Sequence, residues 1–321
     1  MWLRGYETCY SDVRMSRLAL VLLIGCSAGG SGVASPDAPR GSDATHGDVD
    51  APGGLVPGDL SVSWMHGSAS CNQNADPELQ MHAYNATTFI FRQNKCDTFE
   101  APFIYLLIGT QSALLLDTGD LTTTTLRDTV LPMVAGKPLV VAHTHAHGDN
   151  TAGDSTFIGQ PNVTVVAKTQ SAVQAAFGIA TWPTSPGMLD LGDRVLDVLA
   201  IPGHEPQHIA IYDRQTGIEL TGDTLYPGLL FISDWTAYRA SVSRLAQFVA
   251  AHPIAWVLGA HIEMTSTPKV NYPYGTTYQP DEHVLQLTAA HVAELDAAVT
   301  ALGPTPPNQP VPHDDFVIDP Q

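Results

Sequence analysis

The chain of 321 residues is poor in cationic side chains and in cysteine. Lys and Arg number 14 against 32 Asp and Glu, so the net charge is −18, and no Lys/Arg cluster is available to bind nucleic acid or anionic lipid headgroups. Four cysteines are too few for a disulfide scaffold. Charged residues make up only 14% and hydrophobic residues 44%, which excludes a charge-rich disordered chain and predicts a folded core.

The first 58 residues resemble a targeting segment followed by a linker. A short basic flank, which begins at the alternative start Met15, precedes eight apolar residues at 18–25. This pattern is typical of a signal peptide and predicts one over residues 1–25. The apolar run is too short to cross a bilayer. The four residues ending at Cys26 resemble a bacterial lipobox, in which the Cys carries a lipid; a plain secretory signal is the alternative. Residues 26–58, rich in Gly, Ser, Pro and Asp, predict a flexible tether. We expect an exported protein of the cell envelope, periplasmic or at the surface, whose membrane contact is an N-terminal lipid anchor.

The two remaining cysteines, Cys71 and Cys96, follow the tether. Disulfides persist outside the cytoplasm, so we expect these two to form one. Two buried free thiols are the alternative. Cys9 and Cys26 should not take part.

The globular composition extends over residues 59–302, and the Pro-rich residues 303–321 predict a poorly ordered tail. Early paired strands followed by strand–helix alternation predict sheets covered by helices, an α/β architecture. Strands are predicted at residues 88–92, 103–109, 113–117, 139–142, 163–167, 195–201, 209–212, 218–221 and 256–258, and helices at 122–134, 170–177, 237–251 and 283–302.

Three histidines and an aspartate crowd the loop that follows the predicted strand 139–142. Residues 143–150 have the sequence HTHAHGDN. Zinc prefers imidazole nitrogen, and two histidines spaced i, i+2 on an extended segment can bind one ion. An aspartate two residues further along can reach a second ion about 3.5–4 Å away, as in two-metal hydrolytic sites.

Three more predicted strands end in a candidate ligand. His204 follows the strand at 195–201, Asp223 follows the strand at 218–221, and His261 follows the strand at 256–258. Loops at one edge of a sheet structure bring such side chains together. The sequence therefore predicts one metal site at the ends of four strands.

This ordered set resembles the metallo-β-lactamase fold superfamily, whose signature is His-x-His-x-Asp-His, then a Gly-His turn, a Gly-Asp and a late His. Asp117, in the sequence Leu-Asp-Thr-Gly, matches the early aspartate of that family. The resemblance covers residues from about 84 to 265. It implies a four-layer αββα sandwich of two mixed β-sheets flanked by helices, with a zinc site in the cleft between the sheet edges.

The resemblance also implies a role for each matched residue. The first zinc would be bound by His145, His147 and His204. The second would be bound by Asp149 and His261, with Asp223 bridging the two ions. Asp117 would orient a ligand histidine from behind it.

One position departs from the signature, because Asn150 stands where the family has a histidine. A neutral amide oxygen is a poorer zinc ligand than imidazole, so we expect the second site to be weak, partly occupied or tolerant of Mn²⁺. His143 and His208 are candidates to compensate, although neither lies at a ligand position of the motif. For His143 an orienting or packing role is the alternative.

The expected chemistry is metal-assisted hydrolysis of a small molecule. A zinc-bound hydroxide would attack a carbonyl carbon, while Asp149 and Asp223 would orient it and pass a proton to the leaving group. The scarcity of basic residues disfavours RNA and phosphodiesters, and leaves lactams, lactones, esters and thioesters open. The alternative function, motivated by Asn150, is a metal- or ligand-binding surface protein with weakened catalysis. A redox role resembling the flavo-diiron branch would need a glutamate in place of His147.

Overall fold

Two six-stranded β-sheets form the centre of the protein, and the computed structural model describes residues 54–321. The strands of the first sheet, in spatial order, are β1 (Leu79–Asn85), β2 (Thr88–Gln93), β3 (Phe103–Ile108), β4 (Ala113–Leu116), β5 (Leu139–Ala142) and β6 (Val163–Val165). Strands β1 to β4 pair antiparallel, and β4, β5 and β6 pair parallel, so the sheet is mixed.

The second sheet is also mixed, and a third, smaller sheet accompanies it. The second sheet consists of β7 (Gly187–Asp190), β8 (Val195–Ala200), β9 (Ile209–Asp213), β10 (Ile218–Gly222), β12 (Trp256–Gly259) and β13 (Gln286–Leu287), in the spatial order β13-β12-β10-β9-β8-β7. Only β10 and β12 pair parallel in it. The small sheet has the order β11 (Leu229–Ile232), β15 (Val317–Pro320) and β14 (Val311–Pro312).

Helices cover both outer faces. They are α1 (Thr125–Met133), α2 (Gly148–Thr151), α3 (Asp154–Phe157), α4 (Gln170–Phe177), α5 (Trp235–Ala251) and α6 (Ala289–Leu302), with a 3₁₀ turn at Cys71–Gln73. One apolar cluster lies between the two large sheets, a second joins the first sheet to α1 and α3, and a third joins the second sheet to α5 and α6. The predicted four-layer αββα sandwich is confirmed.

The central strands are apolar along most of their length because both of their faces are covered. Every residue of β3, β4, β9 and β10 is buried. Continuous apolar runs of this kind are typical of strands between two layers. The sequence therefore predicted these strands, whereas the half-buried strand β1 and the short strands β7 and β13 were missed.

The C-terminal residues differ from the predicted poorly ordered tail. Strands β14 and β15 lie within residues 303–321, and Phe316 and Ile318 belong to the apolar cluster that contains α5 and α6. The expectation failed because these apolar residues bury beside β11, a long-range contact that a proline-rich composition hides. At the other end, the Val56 N–H donates to the Gln215 carbonyl, so contacts with the domain begin before residue 59.

The N-terminal predictions concern residues that the structure does not describe or describes only in part. The signal peptide, the start at Met15 and the lipidated Cys26 lie outside the described residues, as does the tether up to residue 53. Cys71 and Cys96 are joined by a disulfide with a Cα–Cα distance of 5.1 Å. Among residues 54–321, no helix has the length and apolar character needed to cross a membrane.

Candidate metal centre

The side chains of the candidate metal centre come from the loops at the ends of four strands. The loop after β5 carries His145 and His147, and the loop after β8 carries His204. Asp223 follows β10 directly, and His261 lies two residues after β12. The structure brings all of these residues together at one edge of the sandwich, in two overlapping clusters.

Three imidazole nitrogens converge in the first cluster. His145 Nε2 lies 3.0 Å from His147 Nδ1 and 3.3 Å from His204 Nε2, and the His147 and His204 nitrogens are 3.0 Å apart. Nitrogens that bind zinc at about 2.0–2.1 Å in a tetrahedral site lie about 3.3 Å from one another. The Asp223 Oδ2 atom completes the cluster at 3.5 Å from His204 Nε2. This donor set fits a zinc ion.

The far ring nitrogens of two histidines are held by neighbours that fix the tautomer. His204 Nδ1 lies 2.7 Å from the Phe231 carbonyl oxygen, so it is the donor, and Nε2 presents a lone pair to the cluster. His145 Nδ1 lies 3.0 Å from Thr144 Oγ1. Burial also lowers the pKa of both rings, that of His145 well below 6.5, which favours the neutral imidazoles that bind metals.

The second cluster contains one imidazole and two carboxylates. His261 Nε2 lies 3.2 Å from Asp149 Oδ2 and 3.5 Å from Asp223 Oδ1, and His261 Nδ1 donates to the Glu100 carbonyl. Asp223 therefore presents one oxygen to each cluster. Its Oδ1 is buried and receives no hydrogen bond, as expected for an oxygen that binds a cation.

The charges of the second cluster favour a bound cation. Burial raises the pKa of Asp223 to about 7, an effect that His261 opposes and Asp149 increases. Burial lowers the pKa of His261, but Asp223 and Asp149 outweigh it and raise the pKa to about 10. The carboxylates of Asp149 and Asp223 thus stabilise positive charge beside the His261 ring, where a cation of the second cluster would lie.

The three residues discussed in connection with the missing imidazole, namely Asn150, His143 and His208, lie outside both clusters. Asn150 is fully buried and its amide Nδ2 donates to Asp149 Oδ2 at 3.0 Å, so it supports a candidate ligand, while its Oδ1 has no partner. His143 Nε2 lies 2.7 Å from Asp154 Oδ1. His208 Nδ1 lies 3.0 Å from Thr224 Oγ1. Neither histidine compensates for the missing imidazole.

Asp117 acts through a residue that the sequence analysis missed. Its carboxylate accepts hydrogen bonds from the Thr144 N–H at 2.8 Å and from Thr144 Oγ1 at 3.0 Å. Because the single hydroxyl proton goes to Asp117, Thr144 Oγ1 accepts from His145 Nδ1. The sequence could have indicated this role, because Thr144 lies between His143 and His145. Alternate residues of an extended segment face opposite sides, so Thr144 faces away from the metal site when His145 faces it.

Two glutamates beside the clusters were also missed. Glu205 Oε1 lies 3.9 Å from His147 Nε2, on the far side of that ring from the ligand atom. Burial raises the pKa of Glu100 to about 7, a shift that His261 opposes and Asp149 increases. Glu205 could have been noticed as the neighbour of His204, whereas Glu100 is 161 positions from His261 and had no sequence signal.

Comparison with known proteins gives remote relatives. No protein-family model matches the chain. An acyl-coenzyme A thioesterase MBLAC2 of Gallus gallus is 28% identical over 206 residues, covering 50% of this chain and 72% of that protein. A hydroxyacylglutathione hydrolase of Aeromonas hydrophila is 27% identical over 210 residues, covering 61% and 74%. Among solved structures, a metallo-beta-lactamase from Pontibacter korlensis has 17% identity and a TM-score of 0.49, covering 69% of this chain and 99% of that one.

The relatives and the site agree on the general chemistry. Both curated relatives are named as hydrolases of acyl compounds. The histidine–carboxylate clusters support metal-dependent hydrolysis by this chain as well. With its αββα layers and its ligand candidates in the order of the signature, the chain resembles the metallo-β-lactamase fold superfamily, and the curated relatives support that resemblance.

Proposed function

We propose that this protein is an exported, zinc-dependent hydrolase that cleaves the carbonyl–sulfur bond of small thioesters. The observation that carries the proposal is the convergence of three imidazole nitrogens within 3.0–3.3 Å of one another, beside a carboxylate that reaches a second cluster. No Ser or Cys nucleophile is needed at such a site.

In the proposed mechanism, the histidines bind the first ion and the aspartates orient the water and transfer the proton. His145, His147 and His204 hold the first ion, which when bound lowers the pKa of water and polarises a carbonyl oxygen. Asp223 accepts a hydrogen bond from the attacking water and fixes its orientation. Asp149, held by the Asn150 amide, accepts the proton and returns it to the leaving group.

The thioester assignment rests on the relatives. An acyl-coenzyme A and a hydroxyacylglutathione, the compounds in the two relatives' names, are both thioesters. Lactones, esters and lactams are the other carbonyl substrates that this chemistry permits. A thioester is also the easiest of these to cleave, since a thiolate leaves more readily than an alkoxide or an amide.

The second ion is proposed to bind more weakly than the first. Its cluster offers Asp149, Asp223 and His261, with no second imidazole. Oxygen-rich ligand sets suit Mn²⁺ better than histidine-rich ones do. We therefore propose zinc in the first position and either zinc at partial occupancy or Mn²⁺ in the second.

Export and lipid attachment are supported by the sequence of the first 26 residues and by the disulfide. The pattern before Cys26 is that of a lipoprotein signal, and disulfides are rare in reducing compartments. Metabolic labelling with a radioactive fatty acid tests the anchor. Label on the wild type but not on Cys26→Ser supports it, and an unlabelled wild type contradicts it.

The test of the function combines metal analysis with a substrate panel. Purified protein should contain between one and two metal ions, and a chelator should abolish hydrolysis of S-acylglutathione and acyl-coenzyme A, with recovery when zinc is added. His145→Ala should lose the first ion, while His143→Ala, in the same loop but outside both clusters, should retain it. Hydrolysis that persists in excess chelator would contradict the mechanism.

One observation favours the alternative of a metal-binding protein with weakened catalysis. Asn150 binds Asp149 instead of supplying an imidazole. Asn150→His decides between the two functions. A gain of about tenfold or more in turnover, with tighter binding of the second ion, would support a degraded site. Little change would support a site that works as it stands.

A further inference from the structure

We infer that the C-terminal hairpin, β14 and β15, is a positioning element for the metal ligand His204. The inference rests on the proposed role of His204 as a ligand in the hydrolase. It concerns residues 311–320, far along the chain from every candidate ligand.

Strand β11 stands between the hairpin and the metal centre. On one edge, the Val317 N–H donates to the Gly228 carbonyl and the Gln321 N–H donates to the Ile232 carbonyl. Successive carbonyls of a strand point to opposite edges. The Phe231 carbonyl is an odd number of residues from both of these acceptors. It therefore points away from the hairpin, and it accepts the hydrogen bond of His204 Nδ1 at 2.7 Å.

The residues after β11 also hold the turn that carries His204. The N–H groups of Ser233 and Asp234 both donate to the Gly203 carbonyl, at 3.0 and 2.8 Å. β11 is thus attached to the His204 turn at two places. Its only strand partner among the described residues is β15, so the hairpin fixes where the Phe231 carbonyl lies.

Asp315, at the tip of the hairpin, fastens it to the body of the domain. Its carboxylate contacts two histidines from another part of the chain, His283 Nε2 at 2.9 Å and His291 Nε2 at 3.1 Å. The His291 Nδ1 atom accepts from the Thr288 N–H, so its Nε2 donates to Asp315. Behind the tip, Phe316 and Ile318 are fully buried.

The neighbouring Asp314 provides a matched control. Its carboxylate is 64% exposed and forms an ion pair with Lys269, itself 55% exposed, at 3.3 Å. Exposed pairs of this kind contribute little. Removing the Asp314 carboxylate therefore changes the charge of the tip without releasing the hairpin.

The experiment compares Asp315→Ala with Asp314→Ala in the whole protein. Amide hydrogen exchange of residues 317–321 reports whether the hairpin loosens, chelator competition gives the zinc affinity, and ¹⁵N NMR of the His204 ring reports the tautomer. For Asp315→Ala we expect faster exchange, about tenfold weaker binding of the first zinc ion and a loss of the pure Nδ1–H tautomer. Asp314→Ala should match the wild type in all three.

A hairpin that loosens without any change in the His204 ring or in zinc affinity would overturn the inference. If Asp315→Ala leaves exchange unchanged, a variant that lacks residues 310–321 is tested by zinc affinity and by the His204 spectrum, with circular dichroism as the check of folding. A folded deletion variant with the wild-type His204 tautomer and zinc affinity overturns the inference. A folded deletion variant that is altered in both supports the inference. A wild type that binds zinc but hydrolyses nothing would refute the proposed function alone. A wild type that binds no zinc would also refute that function, and the His204 spectrum would still decide the role of the hairpin.

Discussion

Thr144 shows how a residue outside the candidate metal ligands can determine the geometry of one of them. It joins the buried Asp117 carboxylate to the His145 ring, and both contacts are within 3.0 Å. Burial raises the pKa of Asp117 well above its ordinary value, while the hydrogen bonds from Thr144 oppose this shift. The orientation of His145 therefore depends on one hydroxyl group.

Replacing Thr144 with valine should weaken the first metal site. Valine keeps the shape and removes the hydroxyl, so His145 Nδ1 loses its partner. We expect zinc affinity to fall by about tenfold or more, because partners of ligand histidines typically have effects of that size. Chelator competition measures it. Thr144→Ser, which keeps the hydroxyl, is the control, and equal affinities for all three proteins would refute the role of Thr144.

At the scale of elements, the end of β10 is closely packed against the loop after β5. Gly222, with φ of +51°, precedes Asp223, and a Cβ atom there would lie 2.6 Å from His208 Nε2 and 2.7 Å from Thr144 Cβ. A side chain at this position would therefore meet both backbone strain and two neighbours that are themselves buried. The close approach of β10 to the loop after β5 requires a glycine.

Gly222→Ala should therefore reduce metal content as well as stability. Strain alone costs about 1–3 kcal/mol, and the two clashes push Asp223 away from the clusters. Gly178→Ala is the control, since Gly178 has φ of +67° but a Cβ atom there would have no neighbour within 4 Å. Elemental analysis and urea unfolding measure the two effects. Retention of full zinc content by Gly222→Ala would show that Asp223 does not depend on this glycine.

At the scale of the whole molecule, the disulfide should contribute to stability. It closes a loop over 25 positions between Cys71 and Cys96. Loops of this length correspond to about 3 kcal/mol of unfolding free energy in the chain-entropy account. Cys71→Ser with Cys96→Ser should lower the urea midpoint accordingly, and reduction of the wild type should give the same shift. A double variant as stable as the oxidised wild type would exclude a stabilising role.

Glu219 should make stability depend on pH. It is fully buried in β10, neither carboxylate oxygen has a hydrogen-bond partner, and burial raises its pKa well above 4.5. The folded protein therefore holds a proton that the unfolded chain releases. The free energy of unfolding should fall as pH rises from the unfolded pKa towards the folded one, by at most about 1.4 kcal/mol per pH unit.

The measurement compares Glu219→Gln with the wild type by urea unfolding between pH 5 and pH 8, in chelator so that metal binding does not contribute. The variant cannot ionise at this position, so its stability relative to the wild type should increase with pH. Groups other than Glu219 affect both proteins equally. Parallel pH profiles would mean that Glu219 does not carry a raised pKa in the folded state.

The sequence determined an α/β fold of sheets covered by helices and the candidate ligands, because both depend on local patterns, whereas the four-layer αββα sandwich was implied by the resemblance of the ordered ligand set to a known superfamily. Continuous apolar runs predicted the central strands, and the candidate ligands follow such runs, namely His145, His147, Asp149, His204, Asp223 and His261. The predictions failed where only the composition of a short segment was considered. Residues 303–321 were predicted to lack order because prolines dominate their composition, although Phe316 and Ile318 are buried.

Only the tertiary structure decided how those ligands are supported. The hydrogen bond from Thr144 to Asp117, the Glu100 carbonyl on His261 and the pairing of β15 with β11 join positions that local periodicity does not relate. It also decided that Asn150 binds Asp149 and that His143 and His208 turn to other partners. The physical reason is that a hydrogen bond depends on the distance between two atoms in space, whereas a sequence pattern records only their separation along the chain.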